Sequence, residues 1–422
     1  MNQTALKKNA LSLPASIVLT LLMFVTEVFF MLYSASGLAV PAAWLIVILL
    51  TYGFFRLVRS GDTSTWRKYL FVTGALLFVP SFIAMLLESR GTMFVTNREV
   101  FLNETPFCHI VLPMTVVPYL LDGVLIFPAK LTAHFASFYA MLIIWFVSTI
   151  TIGRGWCSWV CFYGGWDEGC SSVGKKALIP LRDPDKKLRY GGFAMLGLVV
   201  LASLATFTAV YCTWFCPWKL VTEYEQVTDG SSMLAFVLLV LIFFGFAIIL
   251  PFLTKKRVQC MSFCPFGAFQ SFADKLSIFR VRIDPEKCTG CMACVKTCPT
   301  MSIHEDNIKN KTGKVLITCT KCGACIQSCP SQAIRYERAW FGGKARVNKF
   351  RNFAEKLAAA EKKQTMKRLA GRILLVIHEL ADPKALVPFS GWLLGSVIMG
   401  GFAVGTITRL LNLFINGSFL LK

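Results

Sequence analysis

Sixteen cysteines stand in a chain of 422 residues, and their spacing decides what chemistry is open to them. Cys288-x2-Cys291-x2-Cys294-x3-Cys298-Pro299 recurs 31 residues later as Cys319-x2-Cys322-x2-Cys325-x3-Cys329-Pro330. Three thiolates so closely spaced hold three irons of one cube, and the fourth of such a run reaches the other cube. The spacing therefore predicts one [4Fe-4S] cluster on Cys288, Cys291, Cys294 and Cys329 and a second on Cys319, Cys322, Cys325 and Cys298. Zinc favours two separated CxxC pairs, and disulfides are disfavoured in a cytoplasmic loop. Gly290 and Gly323 are expected to let the backbone wrap close to the sulfides, and each proline to end its run.

A second pattern is Cys157-Ser-Trp-Val-Cys161, matched by Cys260-Met-Ser-Phe-Cys264-Pro265, with Gly164 and Gly267 each three residues beyond the second thiol. Together these pairs offer the four thiolates of a third cluster at the membrane edge. The alternative is unligated cysteine packed as a small hydrophobe. Cys212-Thr-Trp-Phe-Cys216-Pro217 is a third pair, expected on the outer side. Cys108 and His109 are its candidate partners in an outer-face cluster or metal site, and a disulfide competes there. Cys170 is left over and reads as structural. Of His109, His134, His304 and His378 only His134 falls in an expected span, which argues against intrinsic haem b, and CxxCH, Walker and dinucleotide motifs are not found. The chemistry expected is conduction of electrons.

These thiols must be positioned by membrane helices. The chain is 55% hydrophobic and 16% charged, with a mean hydropathy of +0.59, which excludes an ordinary soluble enzyme. Apolar runs long enough to span occur at 13–33, 40–57, 69–87, 131–152, 191–211 and 232–253, with a seventh at 387–414. The first follows Lys7 and Lys8 and precedes Ser34-Ala35-Ser36-Gly37; it is longer than a signal-peptide core and reads as an uncleaved anchor. The 44 Lys plus Arg against 23 Asp plus Glu leave a net charge of +21. Scattered between apolar spans, these charges point away from nucleic acid. Lys7 and Lys8, the group from Arg56 to Lys68, the group from Arg154 to Arg189, and Lys255 to Arg257 alternate onto one side, expected to be cytoplasmic.

The expected fold is an all-α polytopic membrane protein of about six or seven transmembrane helices, with an inserted cytoplasmic α+β bacterial-type 2×[4Fe-4S] ferredoxin domain. Its expected parts are a six-helix membrane domain at 1–254, the membrane-edge CxxxCP and ferredoxin domain at 255–340, a basic amphipathic membrane-surface segment at 341–386, and a C-terminal membrane helix at 387–422.

Over residues 145–336 the chain resembles membrane-bound 4Fe-4S polyferredoxins of the NapH/NosR/CcoG-like family. The resemblance is carried by Gly153-Arg154-Gly155-Trp156-Cys157-Ser158-Trp159-Val160-Cys161, by 260–267 and by the two ferredoxin runs. It departs at Phe162, where the family has proline, and in the additional Cys212–Cys216 pair. The resemblance implies electron transfer between a quinone pool or cytoplasmic donors and redox partners of a respiratory complex, in the bacterial cytoplasmic (inner) membrane.

An electron carrier is therefore expected, with a role as a quinol dehydrogenase component left open. Asp167, Glu168, Glu223 and Glu225 beside the cysteine pairs are candidates to accept quinol protons, solvated interface charge being the plainer account of them. Lys309, Lys311, Lys314, Arg335 and Arg338 could steer an acidic flavodoxin or ferredoxin, or face anionic lipid. The alternative functions are an assembly or maturation factor that reduces a metal or cofactor for a respiratory enzyme, and a redox-sensing regulator.

Overall fold

The structure, a computed structural model, describes residues 10–33, 35–88, 104–106, 108–110, 112–123, 135–174, 176–181, 188–222, 227–339, 352, 355 and 365–421. Among them six helices are long and apolar enough to cross a membrane. They are α1 (Leu13–Leu32), α2 (Ala39–Ser60), α3 (Thr63–Glu88), α7 (Gly191–Thr206, with the preceding turn from Leu188), α8 (Gly230–Thr254) and α13 (Pro383–Asn416). Between them lie α4 (Leu112–Asp122), α5 (Phe138–Thr151), α6 (Phe162–Ser172) and α9 (Pro265–Ala273).

The expected fourth span, 131–152, forms no membrane-length helix among the described residues. Phe135–Ser137 is a strand, β2, paired antiparallel with β1 (Glu104–Pro106), so its backbone groups go to a sheet partner rather than to a helix. Helix α5 then has 14 residues, about 21 Å of rise against the roughly 30 Å of a hydrocarbon core. Gly153 ends it with a left-handed φ of 54°, where an added Cβ would run into the Asp274 carboxylate. His134 and residues 131–133 lie outside the described residues.

The expected loop between spans two and three is also mostly helix. Gly61, at φ 71°, caps α2, and Asp62 Oδ1 accepts the Thr65 N–H at 3.0 Å to start α3 two residues later. Arg67 and Lys68 are thus helical residues.

The bundle closes through close-packed glycines on α13. Gly391 lies against the Trp159 ring and Gly395 against the Trp159 carbonyl, a small-x3-small seam that seats the indole. Met31 meets Gly400 and Met399 meets Gly74 in the same way. Gly395→Ala is expected to cost about 1–3 kcal/mol, because its Cβ meets backbone that cannot rotate away. Gly401→Ala, with nothing within reach of its Cβ, is the matched control. Thermal unfolding in detergent should show a lowered Tm for the first and none for the second.

The cysteine-rich region follows α9. Its frame is a two-stranded antiparallel sheet of β3 (Phe279–Ile283) and β4 (Ile334–Arg338), in register from Phe279 opposite Arg338 to Ile283 opposite Ile334. Phe279, Val281 and Ile283 alternate inward against two one-turn helices, α10 (Ala293–Thr297) and α11 (Ala324–Ser328). Val387, the fifth residue of α13, joins that core and ties the region to the bundle.

Helix α12 (Thr365–Leu380) exposes Leu369, Ile373 and Ile377 along one stripe. Most of the expected surface segment before it, 340–351, 353–354 and 356–364, lies outside the described residues.

Candidate iron-sulfur centres

The two ferredoxin-type runs fold as a pseudo-symmetric pair. Cys288, Cys291, Cys294 and Cys329 line one cavity, and Cys298, Cys319, Cys322 and Cys325 line another. The fourth cysteine of each run therefore crosses to the other cavity. In each run the same two backbone positions are left-handed: Gly290 (φ 73°) and Met292 (59°) in the first, Lys321 (52°) and Gly323 (80°) in the second. Gly290 thus corresponds to Lys321, not to Gly323, and each half places its single glycine at a different one of two strained turns. Backbone N–H groups of Ser302 and Ala333 donate to Cys298 Sγ (3.2 Å) and Cys329 Sγ (3.3 Å), again as counterparts.

Burial pushes the Cys294 thiol up to about 11 and the Cys319 thiol up to about 12. Four thiolates gathered in such a place need cationic centres among them, which the irons of a cube supply. Among the described residues no three His, Cys, Asp or Glu side chains converge on one metal ion.

The pairs at 157/161 and 260/264 also come together. Each ends at a helix N-terminus, Cys161 before α6 and Cys264 before α9, in the same extended conformation (φ −72°, ψ 113° and φ −75°, ψ 116°). The four thiols lie within electrostatic reach of one another. Arg154 and Arg257, each three residues before the first cysteine of its pair, reach across to the other pair: Arg257 Nη2 donates to the Cys157 carbonyl, and Arg154 Nη2 to the Cys260 carbonyl at 3.4 Å. Gly164 and Gly267 leave room for those carbonyls and guanidinium groups, which a Cβ would meet. Arg257 Nη2 also donates to Cys260 Sγ at 3.1 Å. The repeated unit is therefore Arg-x2-Cys-x3-Cys-x2-Gly. The arginines were legible in the sequence at the same offset, but a basic residue beside a span reads first as loop charge.

Burial pushes the Cys264 thiol up to about 12 as well. Two helix N-termini and two buried guanidinium groups offset the negative charge that a tetrathiolate cube would bring here.

A buried polar junction joins this edge set to the second ferredoxin cavity. Arg67 Nε donates to the Cys322 carbonyl (3.1 Å), and its Nη1 to the Ser158 carbonyl (2.7 Å), next to Cys157. Glu168 pairs with Arg67 and lies 3.6 Å from Arg257. Lys321 Nζ, fully enclosed, donates to the Ile152 carbonyl (3.0 Å), Asp274 Oδ1 (2.8 Å) and Ser277 Oγ (2.7 Å). The Lys321 carbonyl accepts from Tyr336 Oη (2.9 Å). This role explains why a lysine tolerates a left-handed φ where its counterpart is glycine.

Asp167 and Glu168 are accordingly not solvated charge: Asp167 accepts the Cys260 N–H at 2.9 Å, and burial pushes its carboxyl up to about 7. Glu223 and Glu225 lie outside the described residues. Lys309 is exposed and paired with Glu305, Arg335 lies 3.7 Å from Asp284, and Arg338 donates to the Ala381 carbonyl.

Of the residues expected at an outer site, three are the cysteines Cys108, Cys212 and Cys216. All three pack in or against the main bundle core with Tyr163, Tyr211 and Trp218. His109 turns to the edge set instead, its Nε2 3.1 Å from Cys161 Sγ. Cys170 stands apart near the end of α6, half-buried.

Two kinds of iron-sulfur domain match the chain. A 4Fe-4S dicluster domain covers residues 280–330, and a 4Fe-4S binding domain covers 134–179, 188–224 and 236–284, each of these three segments holding one CxxxC pair. The chain is 25% identical over 181 residues to YccM of Escherichia coli (strain K12), provisionally described as an electron transport protein, covering 40% of this chain and 48% of the relative. It is 29% identical over 163 residues to MJ0749 of Methanocaldococcus jannaschii, an uncharacterized protein, covering 37% of this chain and 56% of the relative. The chain spans about half the length of the curated relatives it matches. No solved structure is a significant match. The mostly helical fold, six candidate membrane helices and two kinds of 4Fe-4S domain support an iron-sulfur electron-transfer protein of the multi-pass membrane class.

Proposed function

We propose that this chain passes electrons one at a time through [4Fe-4S] clusters on three sets of its own cysteines. The distal set is Cys288, Cys291, Cys294 and Cys329; the proximal set is Cys298, Cys319, Cys322 and Cys325; the edge set is Cys157, Cys161, Cys260 and Cys264. Such clusters change by one electron without making or breaking substrate bonds. The protein supplies thiolates, backbone N–H donors to sulfur and a dry setting that fix each potential. The single observation behind the reading is Arg67, whose guanidinium touches the backbone of both the proximal and the edge set. One rigid side chain thus holds the two at a fixed separation.

The provisional description of YccM points the same way. The other terminus is a quinone or quinol, or a redox-protein partner of a respiratory complex, as the resemblance to membrane polyferredoxins suggests. The setting is a bacterial cytoplasmic membrane with the ferredoxin region in the cytoplasm. In support, Arg59, Lys68 and Lys256 gather at the ferredoxin end of the bundle: Lys68 meets Ser172, and Lys256 donates to the Cys298 carbonyl at 2.8 Å.

Anaerobically purified full-length protein should contain about twelve irons or more, at four per cube. Dithionite-reduced clusters should re-oxidise when a soluble quinone analogue is added. Once iron is chelated, a maleimide that cannot cross membranes should label the exposed Cys291 only after sealed cells are opened. Iron-free protein, or labelling of Cys291 from outside, rejects the proposal.

A further inference from the structure

We propose that Cys108, Cys212 and Cys216 hold a further iron-sulfur cube at mid-depth of the helical bundle, in series with the edge set; the inference rests on the edge set carrying a cluster.

Depth is fixed by three spans. Cys108 packs on Phe78 and Phe82 together with Phe162 and Phe402. Trp218, two residues after Cys216, meets the Phe243 ring edge-on at 5.4 Å. Phe78 lies just past the middle of the 26-residue α3, Phe402 just past that of the 34-residue α13, and Phe243 near that of the 25-residue span α8. The edge set rises from a shallower level: Phe71, seven residues or about 10 Å before Phe78 along α3, packs on Gly164 and Gly165, while Phe162, next to Cys161, stacks on Phe78 at 3.7 Å and brings that end of the set level with the mid-depth site. The chain after α7 therefore turns back into the bundle. Irregular backbone at that depth is tolerated where it is buried in protein or lines a cavity.

Two phenols mark the ligand. Tyr163 Oη lies 3.9 Å from Cys216 Sγ, and it is within electrostatic reach of Cys108, Cys212 and Cys161. Tyr211 is fully buried, and its hydroxyl has no hydrogen-bond partner among the described residues. It lies within electrostatic reach of Cys212 and Cys216 and also of Cys260 and Cys264. An unpaired buried hydroxyl costs about 1–3 kcal/mol. A cube with bare sulfides gives this donor an acceptor.

Three thiolates hold three irons of a cube, as in each ferredoxin-type run, which leaves the fourth iron to a non-thiolate ligand. Each 4Fe-4S-matching segment carries one CxxxC pair, and Cys212–Cys216 is the pair that the edge set does not use. It also lacks the arginine and glycine of the other two: Ala209 and Lys219 stand at those offsets. A site of its own, completed by Cys108 rather than by a second pair, accounts for the difference. One electron leaves the edge cube, oxidising it, and enters the mid-depth cube, reducing it. No proton moves and no bond changes, and the charge is carried toward the far half of the membrane.

Iron content of the full-length protein, purified anaerobically in detergent, tests this. Wild type should hold about sixteen irons, and Cys216→Ser and Cys108→Ser about twelve, with the ferredoxin EPR signals kept and one further signal lost. Cys170→Ser should change nothing. About twelve irons in wild type, unchanged in the variants, overturns the mid-depth centre and leaves the three-set reading standing; about eight overturns both. Native alkylation read by mass spectrometry does not depend on variants that fold. Cys108, Cys212 and Cys216 should resist the reagent until iron is chelated, and a Cys212–Cys216 disulfide or ready alkylation of native holoprotein overturns the proposal.

Discussion

Cys298→Ser is expected to remove the cluster of the Cys319 run, not that of the run in which Cys298 itself lies. Cys298 lines the cavity of Cys319, Cys322 and Cys325, while the first run is completed by Cys329. Loss of one thiolate from a tetrathiolate cube leaves an iron without its protein ligand, so about four irons should go, or the set should fall to a weaker, altered cluster. Cys329→Ser is the mirror experiment and should spare the proximal set. The two variants differ in consequence as well as in spectrum. The proximal cavity touches the bundle through Arg67 and Lys321, whereas the distal cavity includes the exposed Cys291. Losing the proximal cluster should therefore stop reduction of the edge set by an added low-potential donor almost completely. Losing the distal one should slow entry of electrons while leaving the proximal set reducible directly. EPR of each variant during stepwise dithionite reduction reads both effects. Loss of the signal of the Cys288 run in Cys298→Ser would reject the crossed assignment.

What could be read from the residues alone depended on how local the constraint was. Ligand spacing within a run is local, so the grouping of the eight ferredoxin-type cysteines followed from the sequence, and the cavities gather the thiols in the same groups. The edge set was visible through repetition of CxxxC with a glycine three residues on. Its arginines were repeated just as plainly, at Arg154 and Arg257, but their burial depends on the carbonyl of the opposite pair, a tertiary contact that periodicity does not carry. Hydropathy also misled at two points. It could not distinguish strand from helix at Phe135–Ser137, since both use the same apolar residues. And its run at 191–211 outlasts the helix, since α7 ends at Thr206.

Glu168→Ala is expected to be the most destabilising single change outside the cysteines. Arg67 and Arg257 have side chains 1% and 0% exposed, and Glu168 is the carboxylate between them. Removing it leaves two guanidinium groups enclosed with one counter-charge fewer, and breaking a buried pair in this way costs about 3–5 kcal/mol. Carbonyls of Cys322, Ser158 and Cys157 still accept from the arginines, so their hydrogen bonds are partly met while their charge is not. Asp167, whose Oδ2 accepts the Cys260 N–H, lies within electrostatic reach of Arg257 and offsets only part of its charge. Hence a second substitution should repair part of the damage: Arg67→Met with Glu168→Ala removes one charge of each sign, and the pair should be less destabilised than the sum of the singles. A double-mutant cycle on thermal unfolding in detergent measures this coupling. The location of the damage provides a separate check, because the junction is shared by the proximal and edge sets. Glu168→Ala should broaden the EPR signals of those two while leaving the distal set sharp, and equal broadening of all three would show that the whole region had loosened rather than the junction.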